Sequence, residues 1–310
     1  MPKVSIVIVT HNAREIIKEC LNSVYAQDFK DFEVIVVDND SRDGTKEFIR
    51  ENFPQAKLVE NGDNLGFCQA NNQGIEIAKG EFTLTLNSDV ILENNFLSEL
   101  LKTSKNLGSN FGMLSPKILK MDKKTIDSTG LILTKARRFY NRGSGEIDSG
   151  QYDDKREIFG PCAAAALYKR EMLEQIKIRG NSIFIRGNSC SEHFDNDFFF
   201  LVEDVDLAWR ANLSGWRGYF IPQAKCYHLG NSSGMDKKLR QYLSFRNRYF
   251  MMLKNERLGN FLKNLLFILP YDVLRFFKLI ITNRHITKAI FEIVYLLGKI
   301  FKKRNFGLTR

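Results

Sequence analysis

Three short apolar segments, each running into a polar tip, constrain this chain more than anything else in it. Residues 4–9 lead to Thr10, His11 and Asn12, residues 32–37 lead to Asp38 and Asn39, and residues 82–86 lead to Asn87, Ser88 and Asp89. Each run has strand length and is rich in β-branched residues, while Ile16, Ile17, Cys20, Leu21 and Val24 recur at helical spacing between the first two. Parallel neighbours need a crossover, so strand, loop, helix and strand in that order predict an α/β fold with a mostly parallel sheet flanked by helices. The tips then share the carboxyl edge of the sheet, where open α/β sheets bind ligands.

The alternation continues with a helix over 45–52, a strand over 56–60, a helix over 67–78, the strand ending at Asn87, a helix over 96–105 and a strand over 111–115. It stops at Pro116. Turn signals at Asp127-Ser-Thr-Gly130 and Arg142-Gly-Ser-Gly145 predict irregular loops and hairpins up to residue 150. The small apolar run 160–168 suits a strand packed against another backbone, 169–175 a helix, and the polar stretch 176–193 a mobile loop. An apolar approach at 198–202 then delivers Glu203 and Asp204 to the start of a helix, on which Asp206 and Arg210 stand four apart and pair. A short strand at 218–221, the pair Tyr227 and His228, and a Gly/Ser-rich segment at 229–234 follow.

The formal charge of +10 belongs to the tail, where residues 251–310 carry twelve Lys or Arg against Glu256, Asp272 and Glu292. Ile286, Ala289, Ile290, Ile293, Val294, Leu297, Ile300 and Phe301 form one helical stripe there, with Lys288, Glu292, Lys299 and Lys302 on other faces. Basic amphipathic helices of this kind, physically a separate module, can lie in a membrane interface with Lys and Arg toward anionic headgroups. They can also close as a bundle on the rest of the chain or form a homodimer interface. The longest uncharged apolar run in the tail, 264–271, contains Pro270 and falls far short of the roughly 20 residues a spanning helix needs. No charged-then-apolar leader precedes Val4, so no export is expected. Five cysteines without CxxC spacing argue against a zinc cluster or a disulfide framework and fit a reducing compartment. The basic residues carry no nucleic-acid recognition motif, so nucleic acid is not an expected partner.

Asn64, Gly66 and Asn71 fall just before or within a helix start beside the three polar tips. Together these residues can bind a nucleotide, with Asp38 and the Thr10 region on base or ribose and Asp89 on a metal-bridged diphosphate. Mg²⁺ and Mn²⁺ prefer oxygen ligands and attach to phosphates through few carboxylates, so a single protein carboxylate can begin such a site. The same residue types have plainer uses. Asn87, Ser88 and Asp89 can form a turn and cap the helix that follows, Glu203 and Asp204 can cap their own helix, and His228 can pack or cap.

The chain resembles the inverting glycosyltransferases of the GT-A fold, family 2 type, in the rhamnosyltransferase-like and galactofuranosyltransferase-like branch. The residues that carry the resemblance are Val4-Ser-Ile-Val-Ile-Val-Thr-His-Asn12, Glu33-Val-Ile-Val-Val-Asp-Asn-Asp-Ser41, Asn64-Leu-Gly-Phe67 and Leu86-Asn-Ser-Asp89, followed by Phe200-Leu-Val-Glu-Asp-Val-Asp-Leu207, Trp209, Arg210, Gly215, Trp216, His228 and residues 232–234. It implies a GT-A domain over 1–235, divided into a nucleotide-sugar half (1–115) and an acceptor half (116–235), with a basic helical region over 236–310. It further implies that Asp204 is the general base, that Asp89 is the last carboxylate of an Asp-X-Asp metal motif with Asn87 in its first place, and that His228 is a further metal contact. The implied cofactor is Mg²⁺ or Mn²⁺. The implied donor is a UDP- or dTDP-linked sugar, rhamnose or galactofuranose among them, and the acceptor a saccharide or a lipid-linked sugar in cell-surface polysaccharide synthesis. A cytoplasmic enzyme, peripheral at the inner face of the cell membrane, is the corresponding expectation. A nucleotidyltransferase is the alternative among enzymes, and a silent nucleotide-sugar-binding protein on a membrane is the alternative outside them.

Overall fold

In the computed structural model the described residues are 1–185, 188–230 and 235–304, with the backbone alone described over 179–191. The first half alternates as its sequence predicts: β1 (Val4–Thr10), α1 (Ile17–Tyr25), β2 (Phe32–Asp38), α2 (Thr45–Asn52), β3 (Lys57–Glu60), α3 (Gly66–Ile77) and β4 (Phe82–Asn87). There follow β5 (Val90–Leu92), α4 (Phe96–Ser104), β6 (Phe111–Lys120), β7 (Ile126–Ser128), β8 (Leu131–Leu133), β9 (Phe139–Asn141), β10 (Glu157–Ile158) and β11 (Ala165–Lys169). The chain continues with α5 (Arg170–Ile176), β12 (Ile178–Ile185), β13 (Asn188–Glu192), α6 (Glu203–Leu213) and β14 (Arg217–His228), and closes with α7 (Lys237–Asn255), α8 (Leu258–Thr282) and α9 (His285–Lys302).

The main sheet runs in the order β10-β14-β6-β11-β4-β1-β2-β3. β1 pairs in parallel with β2 and β4, with Thr10 opposite Asp38 and Val9 opposite Asn87, so the three polar tips do lie side by side. β11 is antiparallel to both β4 and β6, while β14 is parallel to β6, which leaves a largely parallel sheet with one reversed long strand. Val4, Ile6 and Ile8 bury on one face against Ile17, Leu21 and Val24 of α1 and Leu97 and Leu100 of α4. On the other face, Gly74 of α3 lies so close to β1 that a Cβ there would meet the Val7 Cγ1 at 2.3 Å, which brings the helix directly onto the strand.

Three segments differ from their sequence reading. The strand expected to end at residue 115 continues through Pro116 to Lys120, and the short strand expected at 218–221 is the twelve-residue β14, interrupted at Pro222. The register slips between Ile221 and Lys225, just where β14 leaves Pro116, so both prolines sit at an irregularity that excuses their missing N–H. Within residues 176–193, expected as a loop, β12 and β13 pair antiparallel. Asn87, Ser88 and Asp89 do not cap a helix; they turn into β5, and α4 starts later at Phe96. The segment 232–234 and the side chain of Cys190 lie outside the described residues.

The tail helices share a core with α5 and α6, where Phe250 of α7 and Ile300 of α9 bury with Phe194, Phe198, Val205 and Trp209. Buried ion pairs reinforce this contact. Lys254 Nζ lies 2.7 Å from Asp195 and 2.6 Å from Asp206, and Lys303 Nζ lies 2.9 Å from Glu192 and 2.8 Å from Asp197. Between these pairs and α6 runs a bend in which Phe199, Leu201 and Val202 all have positive φ (61°, 70° and 74°). That conformation is rare for residues with a Cβ, rarest for a β-branched one. The Asn247 side-chain amide of α7 donates to the carbonyls of Phe198, Phe200 and Leu201 at 2.8–2.9 Å, and the Phe67 N–H donates to Phe199 at 2.9 Å. The Phe199 ring lies over Gly66, where an added Cβ would meet it at 2.4 Å on a backbone with φ +79°.

Two outcomes are expected from this packing. Lys254→Met leaves buried carboxylates short of a cation and should lower the unfolding free energy by about 3 kcal/mol, seen as a fall in the urea midpoint at constant m. Gly66→Ala should push the Phe199 ring away and lower the melting temperature; an unchanged melting curve would show that the bend does not depend on this contact.

Candidate active site

A cleft of about 600 Å³ opens at the carboxyl edge of the sheet, lined among others by Asn87, Asp127, Ala163, Glu203, Asp204, His228 and Arg240. Asn87 and Asp204 are joined across two residues of the approach to β11. The Asn87 N–H donates to the Ala164 carbonyl at 2.9 Å, and the Ala163 N–H donates to Asp204 Oδ2 at 3.3 Å. Asp204 Oδ1 also accepts from the Val205 N–H at 2.8 Å. Burial pushes this carboxyl up to about 6, against the lowering effect of those backbone donors. Its neighbour Glu203 is buried, has its Oε2 without a hydrogen-bond partner, and is raised well above the ordinary range by burial and by the charge of Asp204.

On the opposite wall, His228 stands at the end of β14 between two carboxylates. Its Nδ1 lies 2.8 Å from Asp127 and its Nε2 3.3 Å from Asp89. Burial works against a charge on this ring, but Asp127 and Asp89 outweigh it and raise the imidazole to about 9. Asp89 Oδ2 accepts from the Gly230 N–H at 3.2 Å, and the Asp89 carbonyl accepts from Leu229 at 3.1 Å, which fixes the chain after β14 to the tip of β4. Among the described residues no group of three or more His, Cys, Asp or Glu side chains is arranged as a complete protein cage for a metal ion. The separation of Nε2 and Asp89 Oδ1 nonetheless suits adjacent ligands of one octahedral ion, whose neighbouring donors are roughly 3 Å apart for bonds of about 2.1 Å. A small oxygen-rich set that leaves positions to phosphate and water is the arrangement expected for Mg²⁺ or Mn²⁺.

The other residues singled out by the sequence lie outside the lining of the cleft, at the tips of β1 and β2, around the start of α3 and, for Ser88, after β4. Thr10 and Asp38 are fully buried, and Thr10 Oγ1 and Asp38 Oδ2 lack a hydrogen-bond partner among the described residues. Burial raises the Asp38 carboxyl, although its hydrogen bonds to Ser41 work the other way. His11 Nδ1 contacts the Asn39 carbonyl at 2.6 Å, and Asn12, at φ 49°, accepts from the Arg42 N–H through its side chain. The Asn39 amide donates to the Gly66 carbonyl, and Asn64 Oδ1 accepts from the Gly66 N–H, so this turn is tied to β2. Asn71 is buried and donates to Phe67 one turn back, while its neighbour Asn72 holds the backbone of His193 and Phe194. Ser88 is half-buried in the turn before β5.

Sequence reasoning missed Asp127, Ala163, Arg240 and Asn247. Asp127 was legible only as part of a turn, because its partner His228 is 101 residues away. Ala163 acts through its backbone, which has no sequence signature.

A family model described as glycosyl transferase family 2 matches residues 5–177. The N-acetylglucosaminyl-diphospho-decaprenol L-rhamnosyltransferase of Mycobacterium tuberculosis is 26% identical over 252 residues, covering 74% of this chain and 78% of its own length. The GalNAc(5)-diNAcBac-PP-undecaprenol beta-1,3-glucosyltransferase of Campylobacter jejuni is 32% identical over 117 residues, 36% of this chain and 38% of its own. Among solved structures, the mannosyltransferase PcManGT from Pyrobaculum calidifontis in complex with GDP-Man and Mn²⁺ matches with a TM-score of 0.55 at 16% identity, over 98% of this chain and 84% of that one. That likeness carries the fold. With the family match spanning more than half of the chain, this protein belongs to glycosyl transferase family 2 and is a glycosyltransferase.

Proposed function

We propose that the chain moves a sugar from a UDP- or dTDP-linked donor to a lipid-linked saccharide acceptor, with inversion at the anomeric carbon. The observation that carries this reading is the placement of Asp204: a half-buried carboxylate raised to about 6, in one cleft with Asn87 and with His228, whose far side contacts the buried Asp89. The acceptor oxygen attacks the anomeric carbon, its proton passes to Asp204, and the bond from that carbon to the diphosphate breaks. A base works best when its pKa is near the working pH, which burial achieves for Asp204. Beside it, burial and the charge of Asp204 raise the Glu203 carboxyl as well.

The donor's nucleotide falls to the tips of β1 and β2, where Thr10 and Asp38 stand opposite one another in the strand register and Thr10 Oγ1 and Asp38 Oδ2 lack a hydrogen-bond partner among the described residues, with His11, Asn12, Asn39, Asn64, Gly66 and Asn71 nearby. Asp89 and His228 would hold the divalent ion, with Asn87 and Ser88 beside them at the β4 tip. When bound, that ion supplies positive charge for the diphosphate leaving group. A dTDP-linked deoxyhexose such as rhamnose fits the likeness to the mycobacterial relative, whose name also specifies a diphosphate-linked lipid acceptor.

Such an acceptor lives in a membrane. Among the described residues no helix is long and apolar enough to cross one. α8 instead carries an exposed apolar stripe, with Leu266 at 86% exposure and Ile281 at 81%, on a basic region, which suits a peripheral position on an anionic bilayer. The exposed Phe291, Val294 and Tyr295 of α9 extend this apolar surface; a homodimer would be the other way to cover it, and sedimentation without lipid distinguishes the two.

Asp204→Asn should retain donor binding in a thermal-shift assay and lower kcat by a factor on the order of 10³ or more. In the native enzyme kcat/KM should fall tenfold per pH unit below about pH 6, where Asp204 becomes protonated, and level off above it. The stability effect has its own sign. A carboxyl with a folded pKa above its unfolded one favours the fold at low pH and loses that contribution as pH rises through about 6. Asp204→Asn should therefore be more stable than the native protein at pH 8 and gain nothing at pH 4. Mn²⁺ should raise the melting temperature of the native protein in the presence of UDP and fail to do so for Asp89→Ala.

A further inference from the structure

Outside the cleft, the described residues form a further cavity of about 510 Å³ between α7 and α8, lined among others by Arg240, Ser244, Leu274, Arg275 and Lys278. It adjoins the catalytic cleft, with Arg240 and Ser244 lining both. Three cations converge on it. Arg275 and Lys278 are three apart on α8 and face Arg240 on α7, and none of the three forms an ion pair with a carboxylate among the described residues. Arg275 donates to Ser244 Oγ at 3.1 Å, and burial lowers its pKa, the effect of crowding a guanidinium into a poorly solvated place. Elsewhere in the tail, buried cations are neutralised: Lys254 and Lys303 by Asp and Glu, and Arg248 by Asp272 at 2.6 Å. Unlike charges can be gathered this way at little cost, but like charges gathered around a cavity are stabilised by an anion.

What lies on either side identifies the anion. Inward, the cavity adjoins the cleft that holds Asp204. Outward, Leu274 lines it at 73% exposure and belongs to the face of α8 that also exposes Leu266, Phe267, Phe277 and Ile281. Reading outward, the surface offers a place for a sugar hydroxyl, then positive charge, then hydrocarbon. An isoprenoid lipid with a sugar joined through a diphosphate has these three parts in this order. A free oligosaccharide has nothing to set against the cations, and the donor's own diphosphate is assigned to the β4 tip near Asp89.

We infer that Arg240, Arg275 and Lys278 seat the diphosphate of a lipid-linked acceptor, with the lipid chain along the exposed face of α8. This rests on the glycosyl-transfer reading above and adds the place where this chain holds the acceptor's diphosphate. Arginine forks and a lysine point charge together match two adjoining phosphoryl groups, for which charge-assisted hydrogen bonds are the strong kind.

The test is binding of farnesyl diphosphate to the full chain in detergent with saturating UDP, against farnesol, for the native protein and for Lys278→Gln, Lys278→Glu and Arg275→Gln. Lys278 is exposed, so its variants should keep the native circular dichroism spectrum and melting curve. Farnesyl diphosphate should bind the native protein at least tenfold more tightly than farnesol, and Lys278→Glu should remove that preference, with the two Gln variants between. Equal binding of the two lipids, binding indifferent to Lys278 and Arg275, or displacement by UDP would each overturn the assignment. Phosphatidylglycerol vesicles provide the remaining arm. If they compete with farnesyl diphosphate while phosphatidylcholine vesicles do not, the groove is a headgroup site and the acceptor assignment falls. UDP binding, followed separately by thermal shift, should be the same in all variants; its absence from the native protein would count against glycosyl transfer itself, whereas its presence with a failed lipid result would count only against this groove.

Discussion

The structure depends on one side-chain amide. Asn247, wholly buried on α7, shares its two hydrogens among the carbonyls of Phe198, Phe200 and Leu201. Those carbonyls belong to a bend with three non-glycine residues at positive φ, a conformation that costs on the order of 1–3 kcal/mol per residue and persists only where its surroundings impose it. The imposition comes from both sides. α3 contributes the Phe67 N–H and a glycine that admits the Phe199 ring, and the tail contributes Asn247 together with the Arg246 guanidinium on the Asp197 carbonyl. The bend ends at Val202, immediately before Glu203 and Asp204, so helix α6 begins where it does because the tail holds the chain in this shape. An element that reads as an appendage is thus part of what aims the cleft's carboxylate.

The electrostatic design follows from the same packing. Asp206 and Asp195 are buried, and each lies against cations, Asp206 against Arg210 and Lys254 and Asp195 against Lys254 and Lys303. Asp204, two residues from Asp206, has only backbone donors and no cation, so burial dominates and its proton affinity rises. Two carboxylates on one short helix thus face different surroundings, cations for Asp206 and backbone donors for Asp204, which is a physical basis for a structural task at one and a chemical task at the other. His228 is the counterpart across the cleft, a ring whose charge is set by Asp127 and Asp89 more than by its own burial.

The sheet was legible because its signals are local. The runs ending at Thr10, Asp38 and Asn87 are β-branched strands separated by helices of ordinary length, and parallel pairing in register then puts their tips together without any further information. Asp204 was legible through its family resemblance and its apolar approach. Proline hid the rest of β6 and β14, since Pro116 and Pro222 forbid ordinary ladder bonds and the chain accommodates them at a slip that only the partner strand reveals. The tail was read by charge count, and there the count misleads. Lys254, Lys303 and Arg248 look like solvated cations in sequence yet are buried ion-pair partners, while Arg240 stands before the stretch that looked basic. Long-range pairs such as Lys254 with Asp195 leave no periodicity behind, so composition alone cannot tell a spent charge from a free one.

Inversion needs the incoming oxygen and the departing diphosphate on opposite sides of one carbon. In the proposed reaction the fold meets this by building the cleft from two walls of different origin. One wall is the β4 tip with Asp89, locked to the end of β14 by the Leu229 and Gly230 amides, and it belongs to the sheet. The other is the start of α6 with Asp204, whose placement comes from the bend that α3 and α7 clamp. Arg240 and Ser244 of that same α7 continue the second wall outward to the groove on α8, where Arg248 with Asp272 and Arg275 with Ser244 tie the two helices together. The nucleotide side is therefore fixed by β-sheet register and the acceptor side by helix packing, so the acceptor can differ between related enzymes through changes in the tail that leave the sheet untouched.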